Sequence, residues 1–125
     1  MAHAGIYATL AQCAAAVGEL VDGTGWVEGN INGWCLEAEG LIHCVARKVF
    51  ATIIADYTAM PAGGKAILAD IEANYVAMQG IKYNMAGYTS RVEAEDMINV
   101  CRDNVLRGLS LIRDQKVVAF IVTGA

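Results

Sequence analysis

The sequence predicts an all-α protein, and three observations support that class. Alanine, the strongest helix former, occurs 21 times, whereas proline occurs once. Apolar residues recur at spacings of three and four in several segments, as on one face of a helix. A chain of 125 residues has the length of one domain. We therefore predict a single helical domain over residues 1–125, a small bundle of about four helices with a long C-terminal helix and a short terminal tail, in which 1–8 and 116–125 are arms or tails.

The first two predicted helices are marked by their N-terminal residues. Thr9 and Gln12 form a capping box, so the first helix begins there and is expected to run to about Leu20. The second helix is expected to open at Asn30 or Asn32, since either side chain can cap it. Its predicted inner face consists of apolar residues spaced by three or four: Trp34, Ala38, Leu41, Val45 and Val49.

The third and fourth predicted helices follow a Pro-Gly-Gly break. The third runs from Ala62 to about Ala86, and its predicted inner face is Ile67, Ile71, Tyr75, Met78, Lys82 and Met85. The fourth begins at a second capping box, formed by Ser90 and Glu93. Its stripe is Ala94, Met97, Ile98, Cys101, Val105, Leu109 and Ile112. The apolar run 117–122 is expected to pack back or to dock on a partner, and its conformation stays open.

Composition excludes several classes of protein. Hydrophobic residues make up 56% of the chain and charged residues 18%, with a mean hydropathy of +0.41. This excludes intrinsic disorder, and we expect the apolar excess to lie at subunit contacts. The net charge of −4 offers no basic field for nucleic acid. Residues 1–46 contain five acids and neither lysine nor arginine, which predicts two differently charged surfaces.

The uncharged start of the chain does not indicate a membrane protein. The run Met1–Gly18 is shorter and less apolar than a membrane span, and no basic residues precede it as in a signal peptide. We expect a soluble protein in a reducing compartment. Because no CxxC pair occurs, the four cysteines are predicted to be buried free thiols, with disulfides as the alternative.

One cluster of side chains has metal-binding chemistry. Cys35, Glu39 and His43 are spaced by four along the second helix, and thiolate, carboxylate and imidazole would suit zinc or iron. Carboxylate-bridged bundles, however, use Glu-x-x-His from two helices, and that motif is missing. We therefore predict no metal and no cofactor, and interpret His43 as a partly buried residue with Glu39 as its i−4 partner.

No nucleophile is indicated clearly enough to predict an enzyme. Ser90 is better explained as a helix cap and Ser110 as a mid-helix residue, and no GxSxG motif occurs. A cysteine nucleophile would require His43 to lie near Cys13 or Cys101 in the fold. The chain is predicted not to be an enzyme.

The C-terminal part of the chain carries the predicted interface. Arginines alternate with acids along the fourth helix, as on a solvated face or at a subunit seam, and an apolar segment follows. The candidate subunit or partner interface is Arg102, Arg107, Arg113, Val117, Val118, Phe120 and Ile121.

Three segments together carry a family resemblance. They are Gly87-Tyr-Thr-Ser-Arg-Val-Glu-Ala-Glu-Asp-Met-Ile-Asn-Val-Cys-Arg-Asp-Asn-Val-Leu-Arg-Gly-Leu-Ser-Leu-Ile-Arg-Asp114, the helix start Tyr7-Ala-Thr9, and the run Leu36-Glu-Ala-Glu-Gly-Leu-Ile-His-Cys-Val-Ala-Arg47. In helix order and size, about residues 7–121 resemble the small adaptor, or head-completion, proteins of tailed bacteriophages.

The resemblance implies a structural virion protein, made in the host cytoplasm and located at the head–tail interface. It would be a subunit of the head-to-tail connector, a homo-oligomeric and typically dodecameric ring. Portal protein would bind one side and a tail or stopper protein the other, and DNA would pass through without sequence-specific binding. Two alternatives stay open: a cellular helical-bundle oligomerisation or regulatory module without catalytic activity, and a metal-dependent bundle enzyme using Glu39 and His43.

Overall fold

A computed structural model describes residues 3–18, 24–51, 57–83 and 91–123. Within these ranges the chain is helical and contains no strand. The five helices are α1 (Leu10–Val17), α2 (Glu28–Ala46), α3 (Ala62–Tyr83), α4 (Arg91–Ile112) and α5 (Gln115–Thr123). The predicted all-α bundle with a long helix near its C-terminus is therefore confirmed. The last element is a further short helix.

Helix α1 begins as predicted. The Thr9 amide donates to Gln12 Oε1 at 2.8 Å, and the Gln12 amide donates to Thr9 Oγ1 at 3.1 Å, which completes the capping box. The helix ends at Val17, because Gly18 has a φ of 81° and its amide turns back to the carbonyl oxygen of Ala14. The predicted end at Leu20 lies outside the described residues.

Helix α2 begins at Glu28, before both predicted caps, so that prediction was wrong. Val27 is its N-cap and makes no side-chain capping bond. The two asparagines have other partners: Asn30 Nδ2 donates to the Gly25 carbonyl at 3.1 Å, and Asn32 Oδ1 accepts from the Ala4 amide at 2.9 Å. Both side chains therefore tie neighbouring segments to the helix.

The predicted inner face of α2 was wrong in part, since Ala38 is buried and Trp34 and Val45 pack against the core, but two of its residues do not. Leu41 and Val49 are exposed, and the buried residues of the helix are Ile31, Cys35, Ala38, Glu39, Ile42 and Ala46. Apolar residues at helical spacing occur on two sides of α2. Periodicity therefore cannot say which side faces the core.

Helix α3 lies at the centre of the bundle. It packs against α1, α2, α4 and α5. For that reason it is buried around most of its circumference, and its fully buried residues include Leu68, Ile71, Val76 and Ile81. The single predicted face of this helix was therefore too narrow, because Leu68 and Val76 were not included, and it was wrong at Lys82, which is exposed. Met85 and the predicted end at Ala86 lie outside the described residues.

Helix α4 buries the predicted stripe. Ala94, Cys101, Val105 and Ile112 are buried, and the other three stripe residues are partly buried. Gly108 lies directly against Ile71 of α3, where an added Cβ would overlap the isoleucine side chain. The two helices thus approach closely at this point. The predicted cap Ser90 lies outside the described residues.

The described parts of both terminal segments fold against the bundle. Tyr7 and Ala8, which precede α1, are buried. At the other end, α5 buries Val118 and Ile121. Ile121 lies so close to Gly64 of α3 that a Cβ there would come within 2.7 Å of its side chain.

Candidate functional site

Two carboxyl groups lie inside the bundle. Glu72 of α3 is fully buried, and Glu39 of α2 is almost fully buried. Leu68, Glu72 and Val76 are spaced by four, so Glu72 occupies a core position on α3. A buried carboxyl group is stable only when its oxygens have hydrogen-bond partners.

Those partners come from the backbone before α1. Glu72 Oε2 accepts from the Tyr7 amide at 3.0 Å and from the Ala8 amide at 2.6 Å. Glu39 Oε2 accepts from the Ile6 amide at 2.9 Å. Three consecutive amides of a non-helical segment are therefore satisfied by side chains of two helices. The two carboxyl groups fasten the N-terminal segment into the core.

The environment of Glu72 favours its protonated form. Burial, followed by the neighbouring Glu39 carboxyl, raises the pKa of Glu72 to about 10. Its second oxygen, Oε1, is buried without a hydrogen bond of normal geometry to any described residue. A proton carried by Glu72 would face the adjacent carboxyl group of Glu39. Burial beside Glu39 therefore favours an uncharged Glu72 at neutral pH, which would avoid burying two negative charges side by side.

Tyr7 extends this polar cluster across the core. Its hydroxyl lies 2.5 Å from His43 Nε2, and the Ala51 amide donates to it at 3.4 Å. Burial raises the pKa of Tyr7 to about 12 and lowers the pKa of His43. The hydroxyl is therefore the donor and the neutral imidazole the acceptor. The Tyr57 ring packs edge-on against Tyr7 at a centroid distance of 5.1 Å.

The side chains considered for metal binding point to different partners. Glu39 accepts from Ile6, His43 contacts Tyr7, and Cys35 packs in the apolar cluster with Cys13. In the part of the chain that the structure describes, no three histidine, cysteine, aspartate or glutamate side chains converge as a metal site.

The four cysteines are free thiols on α1, α2 and α4. Cys13, Cys35 and Cys101 are buried as predicted, but Cys44 is exposed, so the prediction was wrong for that residue. A hydrogen bond with Cys13, together with burial, raises the pKa of Cys35. Burial also raises the pKa of Cys101. Both groups are thus protonated thiols, whereas a cysteine nucleophile reacts as the thiolate.

Large apolar side chains lie exposed on helices α2, α3, α4 and α5, on α3 at Tyr83. Leu36 on α2 is 70% exposed, and Phe120 on α5 is 55% exposed. Helix α4 exposes four more, namely Val92, Val100, Leu106 and Leu111. Exposed apolar side chains are typical of protein-binding surfaces where they form a contiguous patch, whereas single ones are ordinary on any protein.

The residues predicted to form an interface fall into two groups. Arg102, Arg107, Arg113 and Phe120 are exposed, and Val117 is partly buried. Val118 and Ile121 are buried in the core of their own chain, because α5 folds back onto α3. These last two residues hold α5 in place and present no surface to a partner.

A groove of about 730 Å³ runs between α1, α3 and α4. Alanines at positions 66, 69 and 73 of α3 form its floor, because their small side chains leave space between the helices. Two aspartates, Asp70 and Asp96, also line it.

Hydrogen bonds fix the polar residues at one end of the groove. Arg107 Nη2 donates to Asn104 Oδ1 at 3.0 Å, and Asn104 Nδ2 donates to Asn74 Oδ1 at 3.1 Å. Asn74 Nδ2 in turn donates to Asp70 Oδ1 at 3.0 Å. This series of hydrogen bonds links α3 to α4 and orders the polar side chains at that end of the groove.

Sequence reasoning missed both Glu72 and the groove. Glu72 could have been found as an acid between two apolar residues four positions away on either side. The alanines at 66, 69 and 73 have helical spacing, but nothing in the sequence shows which helices border them.

No protein-family model matches this chain, and comparisons with the curated proteins and with the solved structures found no match. None of the described helices combines the length and the apolar character needed to cross a membrane.

Proposed function

We propose that this protein is a structural subunit that assembles with copies of itself into a head-to-tail connector ring of a tailed bacteriophage. The main support is the set of exposed apolar side chains on α2, α4 and α5. A domain of this size has a sufficient core without leaving Leu36 and Phe120 in water. Burial of these faces between neighbouring subunits explains why they are apolar.

The order of the helices agrees with the family resemblance. The run 36–47 falls on α2, and most of 87–114 falls on the long helix α4. The start at Tyr7 to Thr9 enters the core and then caps α1. The segments that resemble adaptor proteins therefore contribute to α1, α2 and α4, which pack around α3.

The charges on the outer faces suit a ring contact. In a ring, each subunit presents two different surfaces that complement each other. Helix α2 exposes Glu28 and Glu37, whereas α4 exposes Arg102 and Arg107 together with Glu95, Asp96 and Asp103, so its arginines are the positive part of a mixed surface. Since no lysine or arginine precedes Arg47, a channel lined by the first part of the chain would hold phosphates weakly and let DNA slide.

The test is reconstitution with portal protein encoded in the same genome. The purified chain, mixed with portal rings, is expected to add a second ring visible by negative-stain electron microscopy. An unrelated portal serves as the specificity control.

The outcomes separate this proposal from the alternative. A chain that self-assembles but leaves its own portal bare would be an oligomerisation or regulatory module of another kind. A chain that stays monomeric and binds no portal would refute the connector function. Portal, capsid and tail genes beside this gene would support it independently.

A further inference from the structure

We propose that the groove between α1, α3 and α4 receives the outer face of α5 from a second copy of this chain. Phe120 would enter the groove and Lys116 would meet its aspartates. This inference rests on one part of the proposed function, namely that the protein assembles with copies of itself. It adds which two surfaces would meet.

The groove offers an apolar floor with negative charge. Among the residues that the structure describes, its lining includes five alanines and two aspartates, and Arg107 lies at the end of the groove, where it donates to Asn104. Its charged residues are Asp70 and Asp96, both exposed. A matching surface would therefore insert a large apolar side chain and place a positive charge beside it.

The outer face of α5 has those two properties. Phe120 is 55% exposed, and Lys116, one helical turn before it, is exposed as well. Residues four apart lie on the same side of a helix. The segment 115–123 contains no acid, and Lys116 is its positive charge, while the exposed Asp114 lies just before the helix and accepts from the Lys116 amide at 2.9 Å. Because Val118 and Ile121 are buried in the core, the face is held firmly before any partner binds.

A subunit cannot fill its own groove with this face. Helix α5 packs where Ile121 contacts Gly64 of α3. The groove lies along Ala73, nine residues later on the same helix. At about 100° per residue, these positions lie on opposite sides of α3. The contact must therefore join different copies, head to tail, and repetition of such a contact closes a ring or extends a filament.

Two variants each remove one of the surfaces. Phe120→Asp places a charge where the apolar anchor would be, and Ala66→Trp fills the groove from an exposed position in its lining. The matched controls are Val49→Asp, at a residue 54% exposed outside both surfaces, and Ala14→Trp, at an exposed position of α1 outside the groove. Circular dichroism establishes that each variant is folded.

Light scattering coupled to size-exclusion chromatography measures the molar masses of the assemblies that the wild type, the variants and the controls form. We expect the wild type and both controls to assemble beyond the dimer, and Phe120→Asp to weaken assembly about thirtyfold, as loss of an aromatic anchor does. Each surface variant alone should run as a monomer. An equal mixture of the two variants should give a dimer. The intact α5 of Ala66→Trp would fit the intact groove of Phe120→Asp, and the two altered surfaces that remain could not bind a third subunit.

A milder variant covers the case in which a surface variant fails to fold. Lys116→Glu changes an exposed side chain and should weaken assembly about fivefold, with a smaller loss at high salt. Assembly unchanged by Phe120→Asp or Lys116→Glu would overturn this inference while leaving the proposed function standing. A monomeric wild type, with or without its portal, would overturn both.

Discussion

Replacing Glu72 with glutamine tests whether the buried acid carries a proton. Glutamine has nearly the same shape, and its carbonyl oxygen can still accept from the Tyr7 and Ala8 amides. Its amide group would occupy the position of the acid hydroxyl and face Glu39. The substitution Glu72→Gln therefore keeps the hydrogen bonds and removes only the titration.

The size of the effect follows from the change in pKa on folding. The ordinary pKa of a glutamate is 4.5, and in the folded protein the pKa of Glu72 rises to about 10. Between these values the folded chain holds a proton that the unfolded chain has lost, so the free energy of unfolding falls as pH rises. The stabilising contribution is complete below pH 4.5 and is lost at about 1.4 kcal/mol per pH unit toward pH 10.

Glutamine does not titrate, so the free energy of unfolding of the variant should rise relative to that of the wild type as pH rises. Between pH 5 and pH 7 the difference in unfolding free energy should grow by about 3 kcal/mol in favour of Glu72→Gln. Urea denaturation followed by circular dichroism, at pH 5, 6, 7 and 8, measures this difference, and subtraction of the two curves cancels the other titrating groups.

The matched control is Glu28→Gln, at an exposed glutamate in the first turn of α2, whose difference from wild type should stay flat across the same range. If the difference in unfolding free energy between Glu72→Gln and the wild type does not change with pH, the inference that Glu72 is protonated is refuted. A variant that becomes less stable than the wild type as pH rises would refute it as well, because it would show an ionised Glu72 held by the two backbone amides.

Three further predictions concern packing and accessibility. Gly108→Ala should lower the unfolding free energy by about 2 kcal/mol, because its methyl group overlaps the isoleucine opposite it, whereas Gly40→Ala, with open space around its Cβ, should leave stability equal or raise it in a thermal melt. Ile121→Ala should cost about 2–4 kcal/mol of stability in urea, and Phe120→Ser less than about 1 kcal/mol in the monomer, since only the first is buried. A thiol reagent should label Cys44 rapidly and the other three cysteines only on unfolding. Equal losses at positions 121 and 120, or labelling of all four thiols at one rate, would contradict the core described above.

The features predicted well from the sequence depend on residues close together in the chain. The capping box of Thr9 and Gln12 is formed by side chains three residues apart, and it appears in the structure with the expected bonds. The stripe of α4 recurs mostly at spacings of three and four along the whole helix, whereas the other apolar residues of α4, such as Val92 and Leu106, are interspersed with charged ones. Local signals of this kind specify an element without reference to its neighbours.

The features predicted poorly depend on which elements meet. Helix α2 has apolar residues on two sides, and the core contacts one of them because α3 lies there. The sequence likewise shows the alanines of α3 but not the groove, which exists only because α1 and α4 flank them.

By itself, the sequence of this protein determined the helical class, one capping box and the inner stripe of the longest helix in its C-terminal half. The tertiary structure alone decided the role of Glu72, which reads as a surface charge in the sequence but is buried in the fold, where its surroundings raise its pKa. The physical reason is that its pKa depends on burial and on Glu39, and its Oε2 accepts hydrogen bonds from two amides more than 60 residues away. Such long-range contacts leave no local pattern in a single sequence.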